Sequence, residues 1–335
     1  MVTQTPWNEA IRSFLIHDKA IHAPKTVVHH RTHLTALAHW AESQGIPLEG
    51  FGKRHIDEYL ANRKDAGRAH KTIYHDAVVT KVFLKWCTRN DILDRNPLAD
   101  YEVRQPPKTA MYMPTQDDMI ALLKVAHEFW DPKKNPKVAT STPRKRTFHR
   151  DRNYAIILLL LDSACRINEV LSLKLVDYQE SERQITITES KGRTARVIPV
   201  SSGCAEALSV WLHVRRGLMR NVPKGEDEGW LFISESGRII DNSSFLRVLK
   251  RFTDFAGISE KISLHSLRRF SLNRLAKNNL MAAQAIAGHK DAKTTLIYTK
   301  IDPEFLRAAH EQTAVIGTLL NSKRAEKRKR LLYGK

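Results

Sequence analysis

The sequence predicts a mainly α-helical fold with one small β-hairpin, an α+β chain in two domains. Three observations predict it. Apolar residues recur at helical spacing through most of the chain, period-two alternation is confined to residues 183–200, and a proline-rich stretch at residues 105–114 belongs to neither pattern. With 335 residues and 42% hydrophobic content, each of two domains can bury its own core.

Residues 1–104 read as a helical domain. Trp7, Ile11, Phe14 and Leu15 form one stripe, Val27, Leu34, Leu37 and Ala41 a second, Ile56, Tyr59 and Leu60 a third, and Val79, Val82, Phe83 and Trp86 a fourth. Glycine-containing breaks at residues 45–52 and 66–71 separate them. The surface is basic, with Arg31, Arg63 and Lys71 among its cations, so the helices can clasp a nucleic-acid groove. An ordinary bundle with solvated charges has the same composition. His29, His30, His33 and His39 sit at helical spacing but lack a nearby cysteine, and acidic ligands are scarce, which fits exposed or DNA-facing histidines better than a metal site.

The linker, residues 105–114, crosses extended because its prolines lack backbone donors. The second domain is expected over residues 115–320. Thr115 caps a helix with Asp117 and Asp118 in its first turn. Residues 131–150 are rich in Pro, Lys and Arg without an apolar period, the pattern of a mobile basic loop. A nearly continuous apolar run over residues 154–161 marks a buried helix. In the hairpin, residues 183–200, Ile185 and Ile187 alternate with polar residues and Val197 and Val200 resume beyond a Lys-Gly turn. Helices are expected at residues 203–220 and 242–256, the second closed by Gly257, with a short strand at 230–233 between them. A further helix starts at Asp302-Pro303, and residues 321–335 form a basic tail.

The formal charge of +19 favours a polyanionic partner over an acidic or neutral one. Three widely spaced cysteines, Cys87, Cys165 and Cys204, point to reduced thiols and not to a disulfide frame. Neither an apolar signal core nor a run of membrane-spanning length is present in the sequence, so a cytoplasmic protein is expected.

The densest chemistry lies in residues 264–301. His265 and Arg268, three apart on an expected helix, share a face beside Leu264, Leu267 and Leu275, where a partly buried pair needs an anionic partner. His289 and Tyr298 are about 13 Å apart along an unbroken helix, so they meet only if the chain bends near Gly288. Two imidazoles, a guanidinium and a phenol suit attack on a phosphodiester: the tyrosine oxygen forms the covalent bond and the guanidinium stabilises the charge building at phosphorus. Each residue alone is more often structural or on the surface. Order and spacing carry the reading.

The stretches His265-Ser266-Leu267-Arg268, Ala287-Gly288-His289 and Tyr298, nine residues on, resemble the signature region of the tyrosine recombinase (phage integrase) family. Upstream, Arg166 followed by Glu169 and a leucine-rich segment resembles the family's first arginine motif, with Ala164 where the family usually has glycine. The resemblance spans residues 7–320. It implies a two-domain DNA clamp: a helical core-binding domain, then the catalytic domain. It also implies a catalytic set of Arg166, Lys191, His265, Arg268, His289 and Tyr298, supported by Glu169. Lys191, on the hairpin, takes the family's role of general acid, with Arg193 and Arg196 as runners-up for that role or for phosphate contact. Arg31, Lys71, Arg193 and Arg269 are the expected DNA contacts.

The implied activity is site-specific strand exchange through a 3′-phosphotyrosine, with neither metal nor other cofactor. The implied partners are double-stranded DNA and further copies of the chain, a tetramer on paired sites, with room for accessory DNA-bending proteins and no membrane. A type IB topoisomerase and a silent DNA-binding regulator of the same fold are the alternatives.

Overall fold

The computed structural model describes residues 6–107, 112–188, 195–220, 227–258 and 262–288, and the chain divides into two compact units, Met1–Ala110 and Met111–Lys335. Among the described residues no helix is long and apolar enough to cross a membrane. The expectations for Lys191, Arg193, His289 and Tyr298, for the helix from Asp302 and for the tail fall outside the described residues.

The first unit is built from α1 (Trp7–Ile21), α2 (Pro24–Ser43), α3 (Lys53–Asp65) and α4 (His70–Arg89). Pro24 opens α2 at a position whose N–H would have no helical partner. The predicted stripes meet in one core, where Trp7, Phe14, Leu34, Leu37, Ile56, Tyr59 and Phe83 are buried. Phe14 sets its edge against Phe83 at 5.6 Å and Trp86 at 5.5 Å, while Trp7 donates to the Ile46 carbonyl at 2.9 Å and pins the turn after α2. Val82, assigned to the fourth stripe, is exposed instead; Val79, Phe83 and Trp86, spaced by four and three residues, define the inward face without it.

The α2 histidines differ from expectation. His33 is buried, its Nδ1 on Asp76 of α4, and His30 bonds Asp18 of α1 at 2.9 Å. Arg63 of α3 donates to the other Asp76 oxygen at 2.9 Å, so one buried carboxylate joins three helices. The His29 ring lies 4.4 Å from His33 and 5.1 Å from His75. The acidic partners looked scarce in sequence because they come from other helices, 12 and 43 residues away. His39, Arg31 and Lys71 are exposed.

In the second unit, α5 (Gln116–Glu128) begins with a reciprocal cap: Thr115 Oγ1 accepts from the Asp118 N–H and the Asp118 carboxylate accepts from the Thr115 N–H. Residues 131–150 are not the expected loop. They hold a 3-10 turn, Pro136–Val138, and the first turns of α6 (Pro143–Ser163), which Thr142 caps. Phe148 packs edge-on against Trp211 at 5.3 Å, and the buried Arg152 donates to the Ile233 carbonyl at 3.1 Å. A cation with an acceptor can face the core, which conceals the apolar period. Burial pulls the Arg152 pKa down to about 10.

Beyond α6 come α7 (Ile167–Leu171) and a three-stranded antiparallel sheet in the order β1 (Tyr178–Gln179), β2 (Gln184–Ile187), β3 (Arg196–Pro199). Ile185 pairs with Ile198 and both are buried, whereas Val197, expected inside, is 56% exposed. The inward face of β3 therefore carries Ile198, with Arg196 two residues before it and Val200 two after. Helices α8 (Ser202–Met219) and α9 (Asn242–Phe255) follow, and Gly257 sits beyond α9 at φ +67°. The expected strand at 230–233 is reduced to isolated bridges, Lys174 to Trp230 and Ile233 to Ile239. Leu231, Phe232 and Ile233 are buried there, the Leu231 carbonyl held by Trp211 Nε1 at 2.9 Å and its N–H donating to the Leu173 carbonyl at 2.7 Å. The described chain ends with α10 (Leu264–Asn278) and α11 (Leu280–Ala287).

Candidate active site

The C-terminus of α6 sets the site. Ala164 ends the helix in the left-handed region at φ 49°, ψ 23°, and this reversal brings Cys165 and Arg166 to the start of α7. Ser163 steadies the turn, its hydroxyl accepting from the Cys165 N–H at 3.2 Å. Ala164 is fully buried, so the turn that would suit glycine is held by its surroundings.

Glu169, one turn into α7, reaches back to the Arg166 N–H at 2.8 Å and takes Arg166 Nη1 at 3.3 Å. Its Oε2 also accepts from Arg196 Nη2 at 2.9 Å. Burial alone would push this carboxyl up, but the Arg166 N–H, the Arg196 hydrogen bond and the two guanidinium charges outweigh it and hold the pKa below the ordinary value. Glu169 therefore stays ionised and orients Arg166, whose side chain keeps 27% exposure and can still meet a ligand.

Arg268 enters from α10. It is buried, donating through Nη1 to the Ala164 carbonyl and through Nη2 to the Ala287 carbonyl at 2.9 Å. His265, one turn earlier, is exposed and not half-buried beside it. The start of α10 is fixed by Ser263, whose hydroxyl accepts from the Ser266 N–H at 3.2 Å.

Arg196 and Arg268 together meet the end of α11. Arg196 Nε donates to the Ile286 carbonyl at 2.9 Å, next to the carbonyl that Arg268 holds. Both would otherwise lack helical partners, and cations suit this end of a helix. Gly288 follows at φ +63°; a Cβ there would lie 3.2 Å from the Arg196 guanidinium carbon. The chain then continues to His289.

Among the described residues the site thus joins Arg166, Glu169 and Arg268 by named bonds through Ala164, Arg196 and α11. Two of the expected contacts have partners within the fold. Arg196, a runner-up for phosphate contact or proton donation, is half-buried and ion-paired with Glu169. Arg269, an expected DNA contact, is half-buried, donating to the Tyr112 carbonyl at 3.2 Å and to Ser266 Oγ at 3.1 Å. Period two counted back from Ile198 would have placed Arg196 on the inner face; nothing in the local sequence signals the fate of Arg269.

Residues 139–304 match the model of the phage integrase family. A tyrosine recombinase XerC of Chromohalobacter salexigens is 26% identical over 307 residues, covering 90% of this chain and 94% of that protein. A tyrosine recombinase XerD of Ralstonia nicotianae is 26% identical over 293 residues, 87% of this chain and 88% of its own length. Among solved structures, a Tn1549 transposon integrase in complex with a circular-intermediate DNA gives a TM-score of 0.68 at 18% identity, over 92% of this chain and 99% of that one. The XerH site-specific recombinase bound to difH substrate gives 0.68 at 17% identity, over 92% and 97%. At such identities the structural likeness speaks to the fold.

Proposed function

We propose, from the premise that this chain belongs to the phage integrase family of tyrosine recombinases, that it is a site-specific DNA recombinase which cuts and rejoins duplex DNA through a 3′-phosphotyrosine. The observation that carries the reading is that Arg166, held by the Glu169 carboxylate, and Arg268, held on the end of α11, are linked through Arg196, which bonds both that carboxylate and that helix end. Two guanidiniums positioned before substrate arrives suit a phosphate whose negative charge grows in the transition state.

In this mechanism Tyr298 Oη attacks the scissile phosphorus, with His265 assisting removal of the phenol proton. The bond to the 5′ oxygen breaks and Lys191 supplies the proton to that oxygen. Arg166 and Arg268 hold the nonbridging oxygens and His289 hydrogen-bonds the same phosphate. The 5′-hydroxyl of a partner strand then attacks the phosphotyrosine, restoring a phosphodiester and the phenol. Glu169 fixes Arg166 and touches no substrate. The helical unit serves as the core-type DNA-binding domain, with the exposed Arg31 and Lys71 toward the phosphates. Two copies per site and four per synapse carry out the exchange.

The test is a nicked suicide duplex that traps the covalent intermediate. Wild type forms the adduct in excess EDTA, and Tyr298→Phe binds the same duplex without forming it. An adduct with the Phe variant, or none with wild type in EDTA, contradicts the mechanism.

A further inference from the structure

Arg196 occupies the junction between the segments that the proposed reaction uses. It is the first residue of β3, paired with Ile187 across the hairpin, so residues 188–195, Lys191 among them, are closed at one end by Arg196 itself. From there its guanidinium reaches the Glu169 carboxylate at 2.9 Å and the Ile286 carbonyl at 2.9 Å, beneath Gly288. Glu169 in turn holds Arg166, and Gly288 directly precedes His289 and the segment of Tyr298. One rigid group thus contacts the anchor of the phosphate clamp and the two chain ends that lead to the proton donor and the nucleophile.

Its partners define its place: Nη2 is on the Glu169 carboxylate and Nε on the Ile286 carbonyl, and the side chain is 10% exposed against 27% for Arg166. The planar fork offers donors in several directions at once, so it bonds a carboxylate and a carbonyl from different elements; an ammonium has no such fixed geometry. The Cβ position of Gly288, 3.2 Å from the guanidinium carbon, leaves no slack on the third side.

We propose that Arg196 is a positioning residue that holds the β2–β3 end leading to Lys191, the Arg166–Glu169 pair and the end of α11 that precedes His289 in one frame, so that proton donor, phosphate clamp and nucleophile address the same phosphate. The proposal rests on the recombinase reading above. A purely structural ion pair would fix how much protein folds; a frame for the reaction fixes how fast each folded molecule cleaves. A misplacement near 1 Å costs on the order of 100-fold in rate.

Single-turnover cleavage of the suicide duplex at saturating protein separates these, because amplitude counts folded, bound enzyme and the rate constant reports alignment. Arg196→Lys keeps the charge and loses the fork. It is expected to bind the duplex with near wild-type affinity and to reach near-full amplitude with a rate constant lower by about 100-fold. On a 5′-phosphorothiolate duplex, whose sulfur leaves without a proton, Lys191→Ala recovers and Arg196→Lys stays slow, because its defect extends to the nucleophile segment. Gly288→Ala, which presses on the guanidinium without removing it, is the second variant should Arg196→Lys fold poorly, and is expected to slow cleavage in the same way. Wild-type rate constants in both variants, with or without lost amplitude, overturn the proposal and leave the recombinase reading intact. A wild type that traps no DNA overturns both.

Discussion

Arg268 of α10 donates to the carbonyl of Ala287, the last residue of α11, across 2.9 Å, and with its other terminal nitrogen to the carbonyl of Ala164. One buried guanidinium thereby ties two helix ends that lie far apart in sequence. Arg268→Met leaves both carbonyls short of that donor, each at about 1–3 kcal/mol. The urea midpoint should fall by an amount equivalent to about 2 kcal/mol or more, and covalent trapping should disappear. Arg268→Lys should regain part of the stability and none of the trapping, since one ammonium cannot replace the fork. An unchanged midpoint in the Met variant would show that the carbonyls find other donors.

Lys191 is tested by changing the leaving group. Lys191→Ala should cleave ordinary suicide DNA slowly, by about 100-fold or more for a lost general acid, and should recover on the 5′-phosphorothiolate. Equal slowness on both substrates removes Lys191 from the proton-donor role.

Ala164 sits in the left-handed region while fully buried. Ala164→Gly relieves about 1–2 kcal/mol of backbone strain. It also loses about 0.8 kcal/mol of methyl burial and about 0.4–1 kcal/mol through a looser unfolded chain. The effects nearly cancel, so the variant should lie within about 1 kcal/mol of wild type. Ala164→Val, branched and without room, should be destabilised by more than about 2 kcal/mol. Denaturant melts of both decide it, and a Val variant as stable as wild type would contradict the strained geometry.

Asp76 accepts from His33 and Arg63 while fully buried, so Asp76→Asn should cost about 3 kcal/mol, the lower end for breaking a buried pair because Arg63 still reaches water. The same cluster makes stability depend on pH. Burial first, then the neighbouring His33, hold His29 and His75 below their ordinary value of 6.5; His75 and His30 add to the effect at His29, Lys71 at His75, and Asp76 opposes it. Both histidines bind protons more weakly folded than unfolded. The stability is therefore complete above 6.5 and is lost as pH falls through that value toward the folded ones. Urea midpoints should drop between about pH 7.5 and about pH 5.5, and the double variant His29→Gln/His75→Gln should flatten the drop. An equally steep drop in the double variant would assign the effect elsewhere.

Residues 302–335 carry an apolar helical pattern at Phe305, Ile316 and Leu319, expected to pack on a neighbouring copy. Deleting them should leave weak binding to a single site and abolish synapsis of two sites in gel-shift and crosslinking assays. Recombination by the truncated chain would place the interface elsewhere.

The sequence by itself determined what depends on neighbours a few residues away. Helix faces such as Trp7, Ile11 and Phe14, the Thr115–Asp118 cap and the β2–β3 pairing all follow from spacings that the backbone makes local. The order Arg166, Lys191, His265, Arg268, His289, Tyr298 is likewise a property of the chain. Which cations are engaged inside the fold and which keep exposure was decided only in three dimensions. Arg166 and Arg196 look alike in sequence, yet Arg196 lies 27 residues from the carboxylate that binds it, and Arg268 lies 104 residues from the Ala164 carbonyl. His33 needed Asp76, 43 residues on, to become a core residue, and Arg152 needed Ile233, 81 residues on. A helix forms from hydrogen bonds four residues apart, but the exposure and partner of a charged side chain depend on which distant segments pack over it.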